Sequence, residues 1–139
     1  SETGGYDESL EVGEDTDLVI RLSEKFGFRT VPEILVKKHR HGDGQLTDPR
    51  NLEARMNAYR RIINRHKGYL SRHWKAYYVH SHAYAALCYS AHRKGAGRRA
   101  LLSLAGRYPQ KAIVWADLVA FELTGKDWKN FCRRIKKDG

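Results

Sequence analysis

The chain has 139 residues, 41% of them hydrophobic and 30% charged, with a formal net charge of +10. That is one domain's length with enough apolar and aromatic content to bury a modest core, which excludes an intrinsically disordered chain. The absence of an apolar run near the roughly 18 residues of a spanning helix argues against a transmembrane segment, and two cysteines without ligand spacing argue against a disulfide framework. The charge is uneven: Glu2 to Asp17 is acidic, and the basic excess lies after residue 36. Such a surface favours anionic partners. The cysteine usage suits a reducing, cytoplasmic compartment, with a membrane-peripheral position compatible with the basicity. Ser1 reads as the start of a fragment rather than of a gene.

Residues 1–13 read as a loop punctuated by Gly4, Gly5 and Gly13. Residues 14–26 predict a helix, with Leu18, Leu22 and Phe26 at four-residue spacing and Val19 beside them. Acids in its first turn and Lys25 in its last match the helix dipole, and Gly27 is the expected stop. Asp17 is expected on a solvated face. Phe28 to Val36 predicts an extended segment, with Pro32 favouring an edge strand. A polar loop, His39 to Thr47, leads to Asp48-Pro49, a helix-start pair.

From Pro49 onward only helices are expected. Residues 49–67 place Leu52, Met56, Tyr59, Ile62 and Ile63 on one side and a basic column on the other. Residues 71–94 form an aromatic and small-residue helix, which Gly95 to Gly97 should break. A short helix over 98–107 ends at Pro109, residues 111–124 are apolar over most of their surface, and residues 127–137 close the chain. The helix-turn-helix after Tyr77 looks like one tetratricopeptide-like unit, too few for a repeat. The fold expected is mainly α: a short extended or edge-strand region near the N-terminus, then a small helical bundle, with a boundary between residues 47 and 48.

Chemistry concentrates in the string Gly4-Gly5-Tyr6-Asp7-Glu8 … Glu14-Asp15-Thr16-Asp17-Leu18 … Arg21-Leu22. Adjacent acids at the first turn of a helix, behind a glycine loop, can supply a general base for a hydroxyl group. The string resembles the acceptor-site segment of family-2 glycosyltransferases of the GT-A fold. Val31-Pro32-Glu33-Ile34-Leu35-Val36 and Arg40-His41-Gly42 … Gln45-Leu46-Thr47 resemble that family's next elements, so the likeness covers residues 1 to about 67. It implies the C-terminal piece of a GT-A α/β enzyme that moves a sugar, with inversion, from a nucleotide-diphosphate donor to a hydroxyl acceptor. Asp15 matches the catalytic base. Gly5, Tyr6 and Glu14 would shape the acceptor site, and Arg40 and His41 would meet the donor diphosphate or its Mg or Mn ion. The family's nucleotide-sugar domain and its Asp-x-Asp metal motif have no counterpart here, since Asp15-Thr16-Asp17 sits at a helix start. The donor site would therefore lie mostly outside this chain, and the chain alone should be inactive.

A second reading comes from the basic column. Arg55, Arg60, Arg61, Arg65 and Lys67 could make the chain a non-catalytic helical module for an anionic membrane or nucleic acid, or could simply be a solvated face. Within the glycosyltransferase reading, peripheral contact with an anionic membrane is the expected use, and nucleic acid is not an expected partner. A third reading is a helical protein–protein scaffold that self-associates through the face from Tyr77 to Tyr89. His80-Ser81-His82 is not expected to bind metal, because residues two apart on a helix point to different sides.

Overall fold

A computed structural model describes residues 3–36 and 51–127. Six α-helices are present among them: α1 (Glu14–Lys25), α2 (Leu52–Arg65), α3 (Lys67–Leu70), α4 (Trp74–Ser90), α5 (Lys94–Arg107) and α6 (Ala112–Thr124). The expectation of a mainly α protein with a small helical bundle holds. No strand is present among the described residues, and Phe28 to Val36 runs exposed without a ladder. An extended segment becomes a strand only beside another, and no partner for it lies among the described residues. The chain divides into two compact units, Ser1–Ala58 and Tyr59–Gly139. The boundary expected at residues 47 and 48 lies outside the described residues.

In the first unit, α1 does not bury the face that its periodicity selects. Leu18 and Leu22 are half-buried and Val19 and Phe26 are exposed, whereas Asp17 and Ile20 are buried. The helix ends because Phe26 turns extended (φ −127°, ψ 151°), not because Gly27 adopts a left-handed turn.

In the second unit, α4 and α5 form the most extensive pairing, with α6 laid against both. Their core holds Ala85, Tyr89, Leu101 and Phe121, with Ala86 and Leu118 at its edge. The rings of Tyr89 and Phe121 stack at 4.8 Å between centroids. Gly97, expected to lie in a helix break, is buried inside α5 against this core. A Cβ there would stand 2.8 Å from two Tyr89 ring carbons and 3.2 Å from the Ala85 carbonyl oxygen. The glycine therefore serves close helix approach, and that gain outweighs its poor helix propensity.

The break between α4 and α5 falls instead at Ala91 to Arg93. His92 takes a left-handed conformation (φ 57°), with its N–H donated to the Tyr89 carbonyl at 3.1 Å and that of Arg93 to the Cys88 carbonyl at 2.7 Å. These two bonds close the helix end in the way a C-terminal glycine usually permits. Elsewhere, Tyr108 Oη and Arg107 Nε both donate to the Ser71 carbonyl, at 2.7 and 3.3 Å, tying the end of α5 to the turn before α4.

Polar bonds lock α6 in place. The Tyr78 hydroxyl donates to the buried Asp117 carboxylate at 2.6 Å, and His82 Nε2 lies 3.7 Å from the same oxygen. Burial, then that hydrogen bond, holds the Tyr78 hydroxyl well above the usual phenol range. Arg98 Nε donates to Glu122 at 2.8 Å, and the Tyr89 hydroxyl donates to the same carboxylate oxygen. Arg98 first, and Tyr89 second, pull Glu122 down to about 2. Burial and the Glu122 bond push Tyr89 up to about 12.

Two measurements check this packing. Gly97→Ala should cost about 1–3 kcal/mol in urea unfolding, because the Tyr89 ring is held at both its face and its hydroxyl and cannot yield cheaply. Glu122 ionises more readily folded than unfolded, so its contribution is present above pH 4.5 and is lost as pH falls through about 2. The unfolding midpoint should fall across that window in the native chain, and less steeply in Glu122→Gln.

Candidate functional site

The N-terminal loop is built from two local devices. Asp7 Oδ1 accepts the Ser9 N–H at 3.0 Å and the Ser9 hydroxyl at 2.6 Å, while the Leu10 N–H reaches the Asp7 carbonyl at 3.0 Å. This turn buries Leu10 and commits Asp7 to structure. Gly13 then adopts φ 85° and ψ 15° as the residue before α1, a conformation that glycine takes without strain, and its carbonyl accepts the Asp17 N–H at 2.9 Å.

The second device is the Arg21 side chain. Its Nε donates to Asp17 Oδ2 at 2.8 Å, Nη2 donates to the Gly5 carbonyl at 2.8 Å, and Nη1 donates to the Thr3 carbonyl. One guanidinium thus joins a fully buried carboxylate on α1 to two carbonyls of the glycine loop, those of Thr3 and Gly5. The expectation that Asp17 is a solvated first-turn acid is corrected: Asp17 is the buried anchor. One turn of helix separates it from Arg21, so the pair meets on one face, and the loop carbonyls complete the fork. The Asp17–Arg21 spacing was visible in the sequence, but the loop that covers it was not.

Held beside this anchor, Asp15 is exposed. Oδ1 accepts the Thr16 N–H at 2.6 Å and the Thr16 hydroxyl at 3.3 Å. Among the described residues, Oδ2 accepts no hydrogen bond and the carboxylate makes no ion pair. Glu14 differs: its Oε2 is buried without a hydrogen-bond partner. Gly5 and Tyr6 are exposed, with Gly5 fixed through its carbonyl. The arrangement can present an accessible carboxylate to a proton donor. It holds that group on a helix whose first turn is braced from behind.

The other predicted residues fall elsewhere. Arg40 and His41 lie outside the described residues. Arg60, Arg61, Arg65 and Lys67 are exposed on α2 and α3, and Arg55 is half-buried. On α2 they alternate with the buried Met56, Ala58 and Ile62. The described residues hold no group of three His, Cys, Asp or Glu suited to a metal ion. Asp17 is committed to Arg21, so the residues described do not fit the implied divalent metal.

The histidines do not cluster either. His82 packs on Phe121 and Tyr78, with ring centroids 5.6 and 5.5 Å away, while His80 turns toward Tyr59, 6.1 Å away. Burial, then the nearby His66, holds His80 below the usual imidazole range. Sequence reasoning missed the Tyr78–Asp117–His82 group, whose members belong to two helices. It links those helices and presents no accessible carboxylate, since Asp117 is buried.

Removing the Arg21 fork should free the loop. In Arg21→Met, amide hydrogen exchange at Gly4 to Tyr6 should rise about tenfold or more relative to the native chain, while exchange in α4 and α5 stays unchanged. Neither a family model, nor a curated protein, nor a solved structure matches this chain.

Proposed function

We propose that this chain is the C-terminal portion of an inverting glycosyltransferase and that Asp15 is its general base. The observation that carries the reading is the state of the two neighbouring acids. Asp17 is buried and neutralised by Arg21, whereas Asp15 is exposed with one carboxylate oxygen open, on a helix braced against a glycine loop. The resemblance of residues 1 to about 67 to the acceptor segment of that enzyme family supplies the reaction.

In that reaction an acceptor hydroxyl docks at the open oxygen of Asp15. As the acceptor oxygen attacks the anomeric carbon of the donor, its proton passes to Asp15. The bond from the anomeric carbon to the diphosphate oxygen breaks, and the nucleoside diphosphate leaves with the bonding pair. Configuration inverts because attack comes from the face opposite the leaving group. Tyr6 and the Gly5 backbone would border the acceptor. Glu14, with its buried oxygen lacking a donor, would accept a further hydroxyl or hold the approach side of Asp15. The donor would be held mostly by residues outside this chain.

Asp15→Asn in the full-length protein should lower transfer about 100- to 10,000-fold, the range for loss of a positioned base. Nucleotide-sugar affinity, read by calorimetry, should change little, because Asp15 meets the acceptor. Transfer that survives the substitution would remove Asp15 from the role.

A further inference from the structure

Among the described helices of the second unit, the outward face of α6 carries a row of exposed apolar side chains. Trp115, Val119 and Leu123 recur at four-residue spacing and so share one side of the helix. They are 44%, 56% and 75% exposed, while Val114, Asp117, Ala120 and Phe121 fill the other side. Lysines stand at both ends of this ridge: Lys111 one turn before Trp115, its ammonium 4.5 Å from the centre of the Trp74 ring, and Lys126 just past Leu123.

The Trp115 indole N–H is already bonded to the Pro109 carbonyl at 3.0 Å. The ring can therefore enter an apolar medium without carrying an unsatisfied donor. The surrounding charge is one-sided. Between residues 59 and 127 the only acids are Asp117, which is buried, Glu122, which is bonded to Arg98, and Asp127. Basic residues stand on α2, α3, α4 and α5 and at both ends of α6. The sequence after α6 adds Lys129, Arg133, Arg134, Lys136 and Lys137.

We infer that the ridge Trp115–Val119–Leu123 is a docking surface for an anionic lipid bilayer, entered shallowly by these three side chains while the flanking cations pair with headgroups. An anionic partner is required by the charge. A second copy would set like charge against like, and a nucleic acid offers nothing to bury an aliphatic ridge against. No described helix is long and apolar enough to cross a membrane, so the contact is one face of a packed helix. The inference does not rest on sugar transfer, and the surface differs from the basic column of α2.

The test is flotation of the full chain with phosphatidylcholine vesicles, with and without phosphatidylglycerol. Binding should require the anionic lipid, fall as salt rises, and bring a blue shift of tryptophan emission with quenching by brominated acyl chains. The double change Val119→Gln and Leu123→Gln, at exposed positions, should weaken partition about tenfold or more with circular dichroism and melting unchanged. Four outcomes would overturn the inference. They are binding insensitive to that double change, loss of binding on Arg61→Gln with Arg65→Gln alone, an RNA oligonucleotide bound with no vesicle partition, and a dimer in sedimentation that the double change dissolves without vesicle binding. Acyl-chain quenching of Trp115 alone, in a Trp74→Phe, Trp128→Phe background, reports the contact with the ridge side chains otherwise unchanged; its absence would overturn the inference.

Discussion

Taking a carboxylate out of water is costly unless donors replace the water, and in this basic chain Asp17, Asp117 and Glu122 meet that condition through specific partners. Asp17 is held by Arg21, Asp117 by the Tyr78 hydroxyl, and the half-buried Glu122 by Arg98 and Tyr89. Each bond also joins elements that packing alone would leave free to shift. Arg21 carries the pairing on to the glycine loop, Tyr78 fixes α6 to α4, and the Glu122 group gathers α4, α5 and α6. Charge neutralisation and tertiary register are the same event in this molecule.

That constraint separates structural acids from available ones. Asp7 closes its own turn with Ser9, and Asp17 anchors the loop; neither can serve a substrate without dismantling what it holds. Among the described residues the Asp15 carboxylate bonds only its neighbour Thr16, and it is exposed. The same first turn therefore carries one acid that braces and one that is free to act, and the bracing acid keeps the other's surroundings in place. Glu14, with a buried oxygen that lacks a donor among the described residues, completes an acidic turn at the positive end of the helix dipole.

The second unit shows where local signals and packing compete. Gly95 and Gly97 look like a helix break, yet both lie in α5, and at residue 97 the Tyr89 ring takes the space where a Cβ would stand. The break falls at His92, a residue with no breaking signature, because the terminal bonds to the Tyr89 and Cys88 carbonyls close the helix there. Trp115, Val119 and Leu123 have the composition of core residues. Only the pairing of α6 with α4 and α5 decides that Phe121 goes inward and Leu123 outward.

The sequence by itself determined the mainly helical character, the approximate extents of α1, α2, α4 and α6, the basic column of α2 and the acidic first turn of α1. These rest on residue spacing and on local charge near helix ends, which act within a few residues. Tertiary structure alone decided that Asp17 is buried, that Arg21 reaches back to Thr3 and Gly5, that Gly97 belongs inside a helix, and that Tyr78 meets Asp117. Each of these joins groups from separate segments, and no periodicity within one segment encodes which distant donor or ring will arrive beside it.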